Sequence, residues 1–285
     1  MFDPNNYFNA VFIIPILNIL IALYKLLLIV KVPGALGFAL ILLTVIVRLL
    51  LYPMTMSQLR NVQKLSKLKP GLDKITAKYK HDKTKLHQEQ LNLYKQAGVN
   101  PAAGCLPLLL QMPILIALYN LFFQILTGSN LSQIIEEINK VVYFSFLKIS
   151  SLELSFFGFN LAYKPSEWQK YGIWLLLIPV ATAVLQYWQT KMMMPVAASV
   201  KTPQSDISQK QQEASSFKKE KKEEEDMSTV MQKQMSVMMP IMIGFFAYSF
   251  PLGLSLYWNT FTIFGIIQQH QLNRQVNKED EENKI

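Results

Sequence analysis

The sequence predicts an all-α polytopic membrane protein: a five-span helical bundle with a cytoplasmic helical hairpin and an apolar N-terminal segment. Three observations predict it. Of 285 residues, 51% are hydrophobic and only 16% charged, with a mean hydropathy of +0.20, which is too apolar for an ordinary soluble domain. The apolar residues gather into runs of about twenty, the length that crosses ~30 Å of hydrocarbon as a helix. The basic residues, finally, are concentrated between particular runs.

Residues 1–35 form the N-terminal segment. Asn9 to Val30 is apolar but interrupted by Pro15, Asn18, Tyr24 and Lys25, so it either spans once or lies along the interface as an amphipathic helix. Val32-Pro33-Gly34 breaks the chain. The first full span, residues 36–56, holds a single charge, Arg48. A guanidinium at that depth costs at least about 2.5–3.5 kcal/mol and normally faces a bundle interior or a water-filled cavity. The alternative is snorkelling to the interface. If the helix runs to about Met56, Arg48 lies roughly 12 Å from its end at ~1.5 Å per residue, beyond a reach of ~6 Å. The spacing favours a polar cavity.

Residues 57–99 are helical but soluble in character. Leu59, Val62, Leu65, Leu68, Leu72, Ile75 and Tyr79 recur at three and four residues and form one apolar stripe. Pro70 is expected to kink or divide that helix. Lys80-His81-Asp82-Lys83 reads as a turn, and Leu86 to Ala97 as a return helix stopped by Gly98 and Pro101. From Ser57 to Ala97 there are ten Lys/Arg against three Asp/Glu, whereas Gly128 to Lys170 carries four Lys and four Glu. The positive-inside rule puts the first stretch in the cytoplasm and the second outside. The basic excess could also attract anionic lipid headgroups or ribosomal RNA.

The second span covers residues 105–126 and carries Pro107 and Pro113. Residues 127–170 form an exported loop without strong periodicity, with an aromatic patch at Phe156-Phe157-Gly158-Phe159. The third span is 171–194. Residues 195–230 make a charge-dense cytoplasmic loop read as disordered or as a frayed helix. Spans four and five are 233–250 and 252–270, joined by a tight turn at Phe250-Pro251-Leu252-Gly253, and 271–285 is a cytoplasmic tail. Five spans put the N-terminus outside and the C-terminus inside. A sixth span at Asn9–Val30 would move the N-terminus inside.

Polar residues recur within the spans. Thr44 and Arg48 are i, i+4 partners, and Ser255, Asn259 and Thr262 share one face of the last span. Gln111 lies on the second span, and Gln186 and Gln189 lie on the third. Singly, each reads as interhelical hydrogen-bond glue. Together with Arg48 they read as the lining of a wet groove. Methionines cluster near the inner ends of two spans, among them Met192 to Met194, Met238 and Met242. They suit either gap-filling or the binding of varied apolar segments.

Catalysis finds little footing. His81 and His87 fall in the hairpin and His270 at the last span's inner end, away from any intramembrane nucleophile. Cys105 is the single cysteine, so no disulfide, zinc or redox pair is expected, and no nucleotide fingerprint occurs. No enzyme activity, metal or cofactor is expected. No removed signal peptide is expected either. Ion-coupled transporters usually hold intramembrane carboxylates and repeated halves, and voltage sensors hold repeated arginines. A small-molecule or ion transporter using the same cavity is nevertheless the rival reading.

Three stretches resemble the YidC family of membrane protein insertases, which is related to insertases of mitochondria and thylakoids. They are Gly37–Thr55 with its core Leu-Thr-Val-Ile-Val-Arg-Leu-Leu-Leu-Tyr-Pro, Asn100-Pro101-Ala102-Ala103-Gly104-Cys105-Leu106-Pro107 onward through Gln111-Met112-Pro113, and Phe250-Pro251-Leu252-Gly253-Leu254-Ser255-Leu256-Tyr257-Trp258. The resemblance implies a five-span core around a hydrophilic groove, open to the cytoplasm and the lipid and closed outside. It implies that Asn9–Val30 lies at the outer interface. Arg48 would attract polar or acidic N-terminal residues of a nascent membrane protein, with Thr44, Gln111, Tyr257 and Trp258 at groove or path positions. Gln189, Ser255 and Asn259 join this set from their own spacing. The implied role is insertion and chaperoning of membrane proteins in the bacterial cell (inner) membrane. The implied partners are nascent chains and membrane lipids, with the Sec translocon, the ribosome and the signal recognition machinery beside them; DNA is not among them. The expected form is the short one without a large periplasmic domain. The loop Ala198–Asp226 is long for the family, and the tail is short and ends acidic at Glu279-Asp280-Glu281-Glu282.

Overall fold

A computed structural model describes residues 2–100, 112–120, 123, 131–193 and 227–282. Described residues are overwhelmingly helical, in agreement with the predicted class. A π-helical turn, Asn9–Ile13, leads into α1, Ile14–Ile29, and α2 covers Ala35–Leu50. α3, Tyr52–Lys67, α4, Lys69–Lys78, and α5, Lys83–Gln96, follow. Residues 112–120 form α6, and α7 is Leu131–Val141. A two-residue hairpin pairs β1, Ser155–Phe156, with β2, Phe159–Asn160. After the short α8, Trp168–Tyr171, come α9, Leu177–Met193, α10, Met227–Ser249, and α11, Leu252–Glu282.

Among the described residues, Asn9–Ile29 and Ile173–Met193 are each long and apolar enough to cross a membrane. α2 and α3 together meet the same test but are bent by 66°. The expected helix therefore does not run straight to Met56. It ends at Leu50, because Pro53 cannot donate to the preceding turn and its ring crowds the carbonyl there. Arg48 consequently sits in the last turn of α2, about 4.5 Å of helix rise from the bend. Contrary to the roughly 12 Å expected from the sequence, Arg48 lies within snorkelling reach of the helix end.

Other boundaries move as well. α11 continues through the expected tail to Glu282, and α10 begins at Met227, inside the expected loop. The remainder of that charged loop, 194–226, lies outside the described residues, as does most of the second predicted span. Pro70 divides the basic helix as expected. α3 stops at Lys67, and α4 carries the proline in its first turn, where no N–H is needed. Asp82 then caps α5 by accepting from the Lys85 N–H at 3.0 Å, and Gly98, at φ +62°, ends it.

The loop expected to lack periodicity contains a helix. In α7, Ile134 and Ile138 stand four apart and are buried. The aromatic patch makes the β hairpin, with Phe157 and Gly158 both at positive φ as a two-residue turn requires. Phe156 packs into the start of α2, where a Cβ on Gly37 would lie 2.1 Å from its ring. Only glycine admits that contact.

One apolar cluster joins α1 (Leu17, Leu20, Ile21, Tyr24), α2 (Ala35, Ala39, Leu40, Leu43), α6 (Ala117, Leu118) and α7. Leu152, Leu161, Leu254 and Tyr257 belong to it too. α1 is also tied to the chain after α7 by polar bonds. The Asn18 amide donates to the Val141 carbonyl at 3.1 Å and accepts from the Tyr143 N–H at 2.7 Å. The Tyr24 hydroxyl accepts from the Glu153 N–H at 3.0 Å, and Lys25 donates to the Lys148 carbonyl at 2.8 Å. Away from this cluster, α9 exposes Leu177, Val180, Val184 and Trp188 along one stripe, and α10 exposes Val237, Met238, Ile241 and Phe245. Apolar stripes of this length turned outward suit a lipid surround.

Candidate intramembrane groove

α11 packs against both α2 and α9, and the polar residues of the three helices meet along it. Arg48 points into this packing and is only 6% exposed. Its Nη2 donates to the Phe261 carbonyl at 2.6 Å and its Nη1 to Gln268 Oε1 at 3.2 Å. The guanidinium carbon lies 3.4 Å from the centroid of the Phe261 ring, a cation–π contact strengthened by desolvation.

The reason a helix carbonyl can accept from Arg48 lies four residues on. The side chain at i+4 normally shields the carbonyl at i, and here that position is Gly265. A Cβ on Gly265 would come within 2.9 Å of Arg48 Nη2 and 2.2 Å of Gln189 Nε2. One glycine thus brings an α2 cation and an α9 amide onto the α11 backbone. Gln268 extends the set, donating from Nε2 to Thr55 Oγ1 at 3.2 Å on α3.

Ser255, Asn259 and Thr262 share one face of α11, as their spacing predicts. The Ser255 hydroxyl, Asn259 Oδ1, Thr262 hydroxyl and Arg48 Nε are buried without a hydrogen-bond partner among the described residues. So are both amide atoms of Gln58, one turn after Thr55. Each such group costs about 1–3 kcal/mol unless water or a ligand satisfies it. A run of them over about 10 Å of α11, from Ser255 to Thr262, marks a strip suited to hydrated or polar guests.

Thr44 is buried but bonds back to its own helix, its hydroxyl donating to the Leu40 carbonyl at 2.7 Å. Trp258 is half-buried and donates from Nε1 to Gln186 Oε1 at 3.3 Å, and Gln186 Nε2 lies 3.4 Å from Gln189 Oε1. Tyr257 is 1% exposed and belongs to the apolar cluster. Gln111 lies outside the described residues. The structure therefore brings Arg48 and Gln189 together, sets Trp258 beside them through Gln186, and aligns Ser255 with Asn259. Phe261, Gly265, Gln268 and Thr55 were not singled out from the sequence. Continuing the Ser255–Asn259–Thr262 stripe by one turn reaches Gly265, and a three-residue step further reaches Gln268.

The start of α11 is covered. The Leu252 N–H donates to the Tyr163 carbonyl and the Gly253 N–H to the Leu161 carbonyl, both at 2.8 Å. Leu161, Ala162, Leu254 and Tyr257 are all buried there. The polar strip begins below this apolar cap, at Ser255.

Fold and site together define a helical membrane protein with a polar, singly charged strip buried against its last helix and capped at one end. A model of the 60Kd inner membrane protein family matches residues 28–280, and the chain belongs to that family. It is 28% identical over 245 residues to the membrane protein insertase YidC of Rickettsia felis, an alignment covering 85% of this chain and 36% of that one. Insertases of the same name from Rickettsia conorii, over 245 residues, and Rickettsia prowazekii, over 246, are also 28% identical at the same coverage. The resemblance carried by the three motifs is borne out. The chain spans about a third of the length of the curated relatives it matches.

Proposed function

We propose that this chain forms the membrane-embedded core of an insertase that admits the polar end of a nascent membrane protein to its buried strip and releases the apolar part sideways into lipid. One observation carries the reading: the Arg48 guanidinium is held inside the bundle against a glycine-opened carbonyl, amid buried polar atoms that lack partners among the described residues. Moving a polar segment across ~30 Å of hydrocarbon is the barrier to insertion. A strip wet from one side shortens the dry path, and a cation in low dielectric offers an incoming carboxylate or carbonyl a counter-charge. Burial of the client's roughly twenty apolar residues in lipid supplies the driving force, with no nucleotide required. The outward apolar stripes of α9 and α10 provide the surface along which such a segment leaves. The relatives' printed name supports the reading, and nothing among them supports a transporter.

Five spans are proposed: α2, the second span expected at 105–126, α9, α10 and α11, with α1 at the outer interface. The bonds from Asn18, Tyr24 and Lys25 to residues 141–153 support this placement of α1. They run along about 10 Å of it, and a loop outside the membrane cannot follow a spanning helix that far. The N-terminus is then outside, α3 to α5 form the cytoplasmic hairpin, and the C-terminus is inside, in the inner membrane. Clients are nascent membrane proteins; the Sec translocon, ribosome and signal recognition machinery are proposed collaborators.

Arg48→Ala tests the counter-charge. Insertion of a client with an acidic N-terminal tail, read by protease protection, is expected to fall roughly tenfold, the loss of a charge-assisted hydrogen bond of about 1.5 kcal/mol. A neutral-tailed client should be little affected. Equal effects on both clients would reject the role.

A further inference from the structure

Beyond the bend at Leu51, a cavity of about 550 Å³ opens on one face of α3. Tyr52, Ser57, Arg60, Asn61, Lys64 and Gly98 are among the residues that line it. Tyr52, Arg60 and Lys64 recur along one side of the helix, with Ser57 and Asn61 beside them. The opposite wall is the chain leaving α5. Gly98 turns it back at φ +62°, the Val99 N–H donates to the Tyr94 carbonyl at 3.1 Å, and Asn61 Nδ2 fixes it through the Asn100 carbonyl at 2.8 Å. Tyr52 anchors the upper rim to α11, its hydroxyl donating to Gln271 Oε1 at 3.3 Å.

The charge in this cavity is of one sign. Arg60 reaches Gln275 Oε1 only at 3.5 Å, and neither Arg60 nor Lys64 forms an ion pair with a described residue. The Ser57 hydroxyl and the second Nδ2 hydrogen of Asn61 stand beside the two cations, a combination that suits a phosphate. Position selects the kind of phosphate. Leu49 and Leu50, 56% and 73% exposed, immediately precede Leu51 and Tyr52. An amphiphile with its acyl chains along those leucines would have its headgroup at the cavity mouth.

We propose that this cavity is a binding site for a phosphate-bearing anion, filled by the headgroup of an anionic phospholipid. It rests on the membrane placement of α2 and not on insertion activity, so its test reads lipid and not client. The full chain is reconstituted in nanodiscs of phosphatidylglycerol and phosphatidylcholine, extracted in mild detergent, and weighed by native mass spectrometry. In a second arm, inorganic phosphate alone is titrated and followed by phosphorus NMR. Wild type should retain phosphatidylglycerol, and Arg60→Gln with Lys64→Gln should retain roughly thirtyfold less, as expected for two cations lost near an anionic surface. Lys74→Gln with Lys78→Gln, an equal charge loss on α4, should retain as much as wild type. Binding of inorganic phosphate with the same residue dependence, and no retained lipid, would assign the cavity to a free anion. Lipid and phosphate binding that ignores the Arg60 and Lys64 changes would overturn the proposal. So would binding of a short RNA in place of both.

Discussion

Arg48 shows how one residue's neighbours decide its role. Two residues from the end of α2 it had the reach to leave the bundle, yet it turns inward to the Phe261 carbonyl, the Phe261 ring and Gln268. Gly265 makes this possible, and its substitution separates stability from function. In Gly265→Ala the new Cβ meets Gln189 Nε2 at 2.2 Å and Arg48 Nη2 at 2.9 Å, both the free ends of flexible side chains. The side-chain ends can swing, but moving Arg48 Nη2 off the Phe261 carbonyl gives up a buried charge-assisted hydrogen bond of about 1.5–3 kcal/mol, offset by about 1 kcal/mol of helix propensity regained by alanine. The melting temperature in detergent is therefore expected to fall by only a few degrees while insertion of acidic-tailed clients falls several-fold. A variant with wild-type insertion would show that the approach of Arg48 to α11 has no functional weight.

At the scale of elements, the seating of the β hairpin on α2 is the contact most open to test. Phe156 fills the space over Gly37 and stacks edge-on against Phe38 at 5.3 Å and Phe157 at 4.8 Å. A Cβ in Gly37→Ala would lie 2.1–2.6 Å from three ring atoms of Phe156, so the ring and its hairpin must shift off the helix. We expect a loss of about 1–3 kcal/mol by overpacking, which outweighs the propensity gain of alanine. In a Phe156→Ala background the same change should be neutral or stabilising. A double-mutant cycle by thermal melting measures this coupling, and additive effects would refute it. The same elements show what sequence reading reached. Pro70 and the Lys80–Lys83 turn divided α3 to α5 correctly because proline geometry and an aspartate cap act locally. α7 is faint in the sequence although Leu131, Ile134, Ile138 and Val141 recur at helical spacing. Its eleven residues are too few to stand out beside full spans.

For the whole molecule, the cap over α11 separates two ways of using a polar cavity. Alternating access requires both ends to open in turn, whereas an insertase of the proposed kind keeps its capped end shut. Tyr163→Cys and Leu252→Cys, in a Cys105→Ser background, join residues whose backbones are hydrogen-bonded at 2.8 Å. Client insertion should be the same with the disulfide oxidised or reduced. Activity that vanishes on oxidation and returns on reduction would favour a transporter.

The sequence by itself determined that this is a helical membrane protein, because apolar run length and charge placement respond to the bilayer as a solvent and need no knowledge of packing. It also determined that Ser255, Asn259 and Thr262 share a face, since helical periodicity alone sets that. Tertiary structure decided where Arg48 points, that Gly265 opens a carbonyl to it, and that Thr44 is spent on its own helix. The physical reason is that a hydrogen bond depends on distances of a few ångströms between residues more than two hundred positions apart, and local spacing carries no record of them.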